Sequence, residues 1–176
     1  MGFKSAPMVS VASPADKESL FTPEVRAEIE HWIAKYPPQW RQSAVMAALR
    51  IVQDANGGWL THALLDDVAA YLDMPPIAVY EVATFYANYD LKPVGRHKVC
   101  VCNSISCMLN GSEELIRHVA EKYAVKVGET TADGKFTLKE VECLGACKDA
   151  PLVQVGRSYH ERLSTEALDK LIDELE

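Results

Sequence analysis

The sequence has no apolar run long enough to cross a membrane. Its opening stretch, MGFKSAPMVSVASPADKES, has no arginine and no apolar core of signal-peptide length. Ala6 stands where a myristoylation pattern wants Ser or Thr. Positive charge is also short: 18 Lys and Arg face 25 Asp and Glu, for a net charge of −7. Residues 1–95 carry 7 basic and 11 acidic groups, residues 96–176 carry 11 and 14, so neither half is a basic arm. That balance speaks against a nucleic-acid or anionic-membrane binder, both of which need a positive face. There is no G-x-G-x-x-G, no nucleophile paired with a base and no motif of paired carboxylates, so no dinucleotide site and no active site of its own are expected. C-x-x-C is missing too, which excludes dithiol exchange of the thioredoxin kind and weighs against zinc knuckles. The expected compartment is cytosolic and reducing, where paired cysteines serve as metal ligands rather than disulfides.

What is present divides into two textures. Residues 1–20 are small, polar and proline-containing, and are expected to be a loose tail. Thr22-Pro23-Glu24 supplies a cap, a proline at the first helical position and an early acid. Val25, Ile29, Trp32 and Ile33 then form one apolar stripe that ends at Pro37-Pro38. A second helix is expected from about Gln42 to Ala55, stopped by Asn56-Gly57-Gly58. Thr61 caps a third, with Leu65, Val68 and Leu72 on one face, and a fourth runs from Pro76 to about Asn88. Residues 21–92 thus read as a helical bundle. After Pro93-Val94-Gly95 the pattern changes. Strands are expected at His97 to Cys102, Phe136 to Val141, Leu152 to Val155 and Ser158 to Leu163. Helices begin after Asn110-Gly111-Ser112, with Glu113 and Glu114 at the positive end of the dipole, and at Ser164 or Thr165, with Leu168, Leu171, Ile172 and Leu175 inward. The fold class is α+β.

Five cysteines lie in this second half, four of them as Cys102-x4-Cys107 and Cys143-x3-Cys147, with 35 residues between the pairs. The first pair follows a strand; the second leaves another strand and enters a loop ended by Pro151. Loops at neighbouring strand ends can bring both pairs to one place. Four converging thiolates suit iron–sulfur clusters and zinc. Structural zinc usually wants tighter C-x2-C spacing. A [2Fe–2S] cluster takes two ligands per iron, and two pairs supply that count; a [4Fe–4S] cluster also takes four, and spacing alone leaves it open. Ser104 and Ser106, then Gly145 and Ala146, are small enough to let backbone N–H groups approach the sulfurs. Cys100 points to the same strand face as Cys102 and reads as a small buried hydrophobe, with a substitute ligand for Cys102 as the sharper alternative. His97 has no second histidine beside it, so it reads as a surface residue rather than a Rieske ligand.

The segments CNSISCMLNG at 102–111 and ECLGACKDAP at 142–151 resemble the thioredoxin-like [2Fe–2S] subunit family of NADH:quinone oxidoreductase, respiratory complex I. GGWLTHALLDDVAAYLDMPPIAVYEVATFY at 57–86 is similar to that family's N-terminal bundle, as is PVGRHKV before the first cysteine strand. The resemblance covers about residues 20–176. It implies a helical bundle followed, over 93–176, by a thioredoxin-like domain. It implies that Cys102, Cys107, Cys143 and Cys147 ligate one [2Fe–2S] cluster, with FMN and NADH held only by a partner flavoprotein subunit in a heterodimer, and further peripheral-arm subunits around them. The implied role is that of a non-catalytic electron carrier, peripheral to the cytoplasmic face of the membrane through other subunits. The same module occurs beside a flavin subunit in NAD-linked hydrogenases and formate dehydrogenases, which is the alternative setting. One departure stands out: a Thr commonly follows the first ligand, and here it is Asn103. Cys100 is outside the family motif.

Two rivals from other classes are weaker. Residues 61–88 are similar to a helix-turn-helix, but Ile77 to Tyr86 offers one Glu and no Lys or Arg to a DNA duplex. A zinc scaffold would use Trp59, Tyr80, Phe85, Tyr86 and Tyr89 as a docking face, although their helical spacing reads mostly as core.

Overall fold

A computed structural model describes residues 21–176; the loose tail expected over 1–20 lies outside the described residues. Four helices come first: α1 (Pro23–Ile33), α2 (Val45–Ala55), α3 (His62–Leu72) and α4 (Pro76–Phe85). Thr22 caps α1 by accepting from the Val25 N–H, and Thr61 caps α3 by accepting from the Leu64 N–H at 3.2 Å. Each such cap is worth about 1 kcal/mol. The expected start of α2 at Gln42 is corrected: a 3-10 turn, Pro38–Ala44, precedes it, and Trp40 inside that turn has non-helical φ and ψ. α4 stops at Phe85 rather than Asn88, because Tyr86 turns extended. Ile29, Leu49, Val52, Leu60, Val68, Leu72 and Val79 are all but sealed from solvent and form the bundle's core. Val25 and Trp32 close its edge, half-buried.

The second half is built on a four-stranded sheet. Its strands are β1 (His97–Cys102), β2 (Phe136–Val141), β3 (Leu152–Val155) and β4 (Ser158–Glu161), in the order β2-β1-β3-β4. β1 and β2 are parallel, with Cys102 opposite Val141; β3 and β4 add antiparallel. Two helices follow β1: α5 (Ile105–Leu109) and α6 (Ser112–Lys122); α7 (Thr165–Asp173), capped by Ser164, is the last element. Val99, Val101, Phe136, Leu138 and Val153 point to one face of the sheet and pack with Leu115, Val119, Leu168 and Ile172 of α6 and α7. Strand alternation therefore sends Lys98, Cys100 and Cys102 to the other face. The fourth strand ends at Glu161, two residues short of expectation, and Arg162 turns into a left-handed conformation there.

The two halves meet through the segment after α4. Gln53, a buried polar residue of α2, donates its amide to the Asn88 carbonyl at 3.1 Å and accepts from the Asp90 N–H at 2.7 Å. That clasp holds Asp90 over the sheet. Its carboxylate pairs with Lys98 of β1 at 2.9 Å and Lys139 of β2 at 2.7 Å. Gly95 then threads against β2. Its N–H donates to the Thr137 hydroxyl at 2.7 Å, and a Cβ there would meet the Phe136 backbone at 2.8 Å.

Candidate metal centre

The parallel pairing of β1 with β2 decides where the cysteines go. Cys102 is the last residue of β1, and β2 ends directly across from it at Val141, two residues before Cys143. Both pairs therefore leave the same end of the sheet, at the C-terminal ends of β1 and β2. Cys107 does not sit in a loop, as expected, but on α5, a single helical turn of five residues whose Met108 N–H bonds to the Ser104 carbonyl at 2.9 Å. Cys147 opens a short 3-10 turn, Cys147–Asp149. That turn is fastened to the end of β4: Arg162 donates its guanidinium to the Asp149 carboxylate and its N–H to the Asp149 carbonyl. Gly145, at φ +85°, allows the loop between the second pair to double back.

The pairs differ in exposure. Cys102 and Cys107 are sealed, and with Leu152 they form a small apolar cluster closed by Leu144, Ala146 and Ala150. Cys143 and Cys147 are exposed, with their sulfurs 3.4 Å apart. All five cysteines are free thiols. Two thiolates on one tetrahedral metal, at about 2.3 Å each, stand roughly 3.8 Å apart, close to this spacing. Among the described residues no three His, Cys, Asp or Glu side chains converge on one point that would hold a single ion. A two-iron cluster is held instead by two pairs side by side, one pair to each iron. The donor set and its geometry fit a [2Fe–2S] cluster.

The titration pattern shows one shared electrostatic site. Burial pushes the Cys102 thiol up, but the backbone N–H groups of Ser104 and Leu144, with help from Cys107, pull it below the usual range. Burial, then the neighbouring Cys102, push Cys107 up to about 11. Cys143 beside it raises Cys147, with Cys102 also felt, while the Ser106 side chain acts in the opposite sense. The donors to the sulfurs thus include Ser104 and Ser106 from the first loop. In the second loop Leu144 donates, where the sequence points to Gly145 and Ala146; a bulky residue gives no hint that its backbone is the part in use. Asn103 holds neither sulfur. Its side-chain amide donates to Glu140 at 2.7 Å and accepts from Ser112 at 2.9 Å.

Cys100 shares the sheet face of Cys102, as its spacing predicts. It is half-buried rather than part of the core, and lies by Lys98 and Lys139. His97 lies at the other end of β1, with Nε2 2.7 Å from the Glu176 carbonyl. The aromatic set divides. Tyr89 is buried, Trp59 and Tyr80 are half-buried, and Phe85 and Tyr86 are exposed, Phe85 at 81 %.

A family model for thioredoxin-like [2Fe-2S] ferredoxins matches residues 29–176, and the chain belongs to that family. Among particular proteins, it is 46 % identical over 145 residues to an NADH-quinone oxidoreductase subunit of Rickettsia felis, covering 82 % of this chain and 87 % of that one. It is 41 % identical over 155 residues to a mitochondrial NADH dehydrogenase [ubiquinone] flavoprotein 2 of Dictyostelium discoideum, covering 88 % of this chain and 63 % of that one. Among solved structures, a chain of an NAD+-reducing [NiFe]-hydrogenase in its H2-reduced state shares the fold, with a TM-score of 0.56 at 22 % identity. The match spans 65 % of this chain and 19 % of the hydrogenase chain.

Proposed function

We propose that this chain is the electron-transfer subunit of the NADH-dehydrogenase module of NADH:quinone oxidoreductase, and that Cys102, Cys107, Cys143 and Cys147 hold one [2Fe–2S] cluster. The observation that carries the reading is the placement of two cysteine pairs at the shared C-terminal end of parallel β1 and β2. The 46 % identity to the Rickettsia felis oxidoreductase subunit supports the choice of holoenzyme. The two apolar clusters support a division into a bundle over 21–92 and a cluster-bearing unit over 93–176.

When bound, such a cluster accepts and returns one electron at a time, which suits exchange with FMN on a partner flavoprotein. The chain's own residues supply the setting. Cys102 and Cys107 present their sulfurs from a sealed apolar floor, which keeps water from the inner side. The N–H groups of Ser104 and Leu144 stabilise negative charge on the Cys102 sulfur. Cys143 and Cys147 stand at the open side, so the partner that bears FMN and the NADH site approaches from there. Among the described residues no helix is long and apolar enough to cross a membrane; attachment to the cytoplasmic face runs through other subunits.

The test is chemical analysis and EPR of the reduced, full-length protein. Two irons and two sulfides per chain with a paramagnetic reduced state are expected. One zinc per chain and no signal would end the reading. The hydrogenase-like fold keeps a second setting in view, the equivalent diaphorase module of an NAD-linked hydrogenase or formate dehydrogenase. Co-purification with quinone-reducing and membrane subunits supports the first; a nickel or molybdenum subunit supports the second.

A further inference from the structure

Asn103 directly follows Cys102, and the structure uses both ends of its amide. The backbone N–H of Asn103 donates to the Val141 carbonyl at 3.0 Å and extends the β1–β2 ladder by one residue. Its side-chain NH2 donates to Glu140 Oε1 at 2.7 Å, and its Oδ1 accepts from Ser112 Oγ at 2.9 Å. The amide's orientation follows from chemistry: a carboxylate only accepts, so the NH2 end must face Glu140. Ser112 is wholly buried as the first residue of α6. Glu140 lies three residues before Cys143 on β2. One side chain therefore ties the helix behind Cys107 to the strand that leads into Cys143.

We propose that Asn103 is a positioning residue for the metal centre, bracing the two ligand-bearing segments against each other through Ser112 and Glu140. This rests on the four-cysteine ligand set proposed above. Groups one step removed from a ligand fix its orientation, and their loss typically weakens metal retention by ten- to a hundredfold. A cavity of about 340 Å3, lined by Asn103, Glu140, Val141 and Glu142, already opens beside the amide, so a shortened side chain leaves no sealed void. A threonine has one hydroxyl in place of an amide's separate donor and acceptor atoms, and is shorter. Its single oxygen would have to reach Glu140 and Ser112 from one point, so it holds them more weakly than the amide does.

The experiment uses the full-length chain, reconstituted anaerobically with iron and sulfide, as wild type, Asn103→Ala, Asn103→Thr and Glu140→Ala. The readouts are iron per chain, the rate of iron loss to a chelator, and the visible circular dichroism and EPR g-values of the cluster. Asn103→Ala is expected to load two irons, to lose them on the order of tenfold faster, and to show shifted g-values; Asn103→Thr falls between it and wild type. Glu140→Ala removes the brace from the far, exposed end and moves the same readouts in the same direction, which keeps the test sharp if Asn103→Ala fails to fold. Asn103→Ala and Glu140→Ala that match wild type in loss rate and spectrum, while wild type loads two irons, overturn the brace alone. A lowered thermal midpoint with unchanged spectrum and loss rate overturns it as well. A wild-type chain that takes up no iron overturns the ligand set and the brace together.

Discussion

The sulfurs of Cys143 and Cys147 stand 3.4 Å apart on the exposed side of the centre, one turn of loop around Gly145 holding them there. Their separation is near the roughly 3.8 Å of two thiolates on one tetrahedral metal and far from the ~2.05 Å of a disulfide. The other pair is sealed below, with Cys102 at 1 % exposure.

The two pairs should therefore respond differently to the same chemistry. Serine at any of the four positions is expected to reduce bound iron to a small fraction of wild type, measured by iron and sulfide assay. Before any metal is added, Cys143→Ser and Cys147→Ser should leave the thermal midpoint unchanged, because their sulfurs are in solvent. Cys107→Ser should lower stability by about 1–3 kcal/mol, because it places a hydroxyl in an apolar cluster. Cys100→Ser should leave two irons per chain, with an unaltered EPR spectrum.

Asp90 is one of the charges that join the bundle to the sheet. Its carboxylate is 12 % exposed and faces two lysines. Asp90→Ala leaves Lys98 and Lys139 half-buried without their partner, and an expected loss of about 2–3 kcal/mol follows. All three tryptophans, Trp32, Trp40 and Trp59, lie in the bundle. Urea unfolding followed by fluorescence and by far-ultraviolet dichroism should coincide in wild type. In Asp90→Ala the two transitions should separate, with the fluorescence change reporting the bundle alone.

Gly95 is expected to tolerate nothing larger. Its added Cβ would lie 2.8 Å from two backbone atoms of Phe136, which cannot swing aside as a side-chain tip can. Gly95→Ala should cost about 1–3 kcal/mol. The displaced β2 should also weaken the Gly95 N–H bond to Thr137, visible as faster amide exchange at that position.

A pH effect is expected at the seam of α6 and α7. Asp169 pairs with His118 at 2.9 Å and Lys122 at 3.0 Å. Its burial raises the carboxyl's pKa, but these two donors outweigh it and the net shift is downward. A carboxyl lowered in the folded state stabilises fully above its unfolded value, about 3.9, and loses that contribution as pH falls through the folded value. Asp169→Asn should thus cost about 0.5–1 kcal/mol at pH 7. The gap to wild type in urea midpoint should narrow as pH falls below about 4. A gap that stays constant down to pH 2 would count against the ion pairs as its source.

Much of this arrangement is legible in the sequence because its signals are local. Thr22-Pro23 and Ser164 mark helix starts, Val99 and Val101 alternate, and the cysteine pairs announce themselves by spacing. What escapes is either too short or too distant. ISCML spans barely more than one helical turn, so no periodicity distinguishes α5 from a loop. Trp40 lies in a 3-10 turn that the helical stripe of α2 masks. The aromatic run from Tyr80 to Tyr89 has core-like spacing, yet α4 ends at Phe85 and leaves that ring in solvent. Asp90 and Lys139 are 49 residues apart, and nothing in either neighbourhood signals the pair.

The parallel pairing of β1 with β2 also sets an order of events in synthesis. A chain emerging from the ribosome exposes Cys102 and Cys107 well before Cys143 and Cys147. It cannot juxtapose them until Phe136–Val141 has docked along His97–Cys102, a contact 39 residues apart in sequence. The core of the helical bundle lies wholly between Phe21 and Tyr89 and includes no residue of that contact. On the proposed ligand set, all four sulfurs come together only once β2 has docked along β1, after translation has passed the second cysteine pair.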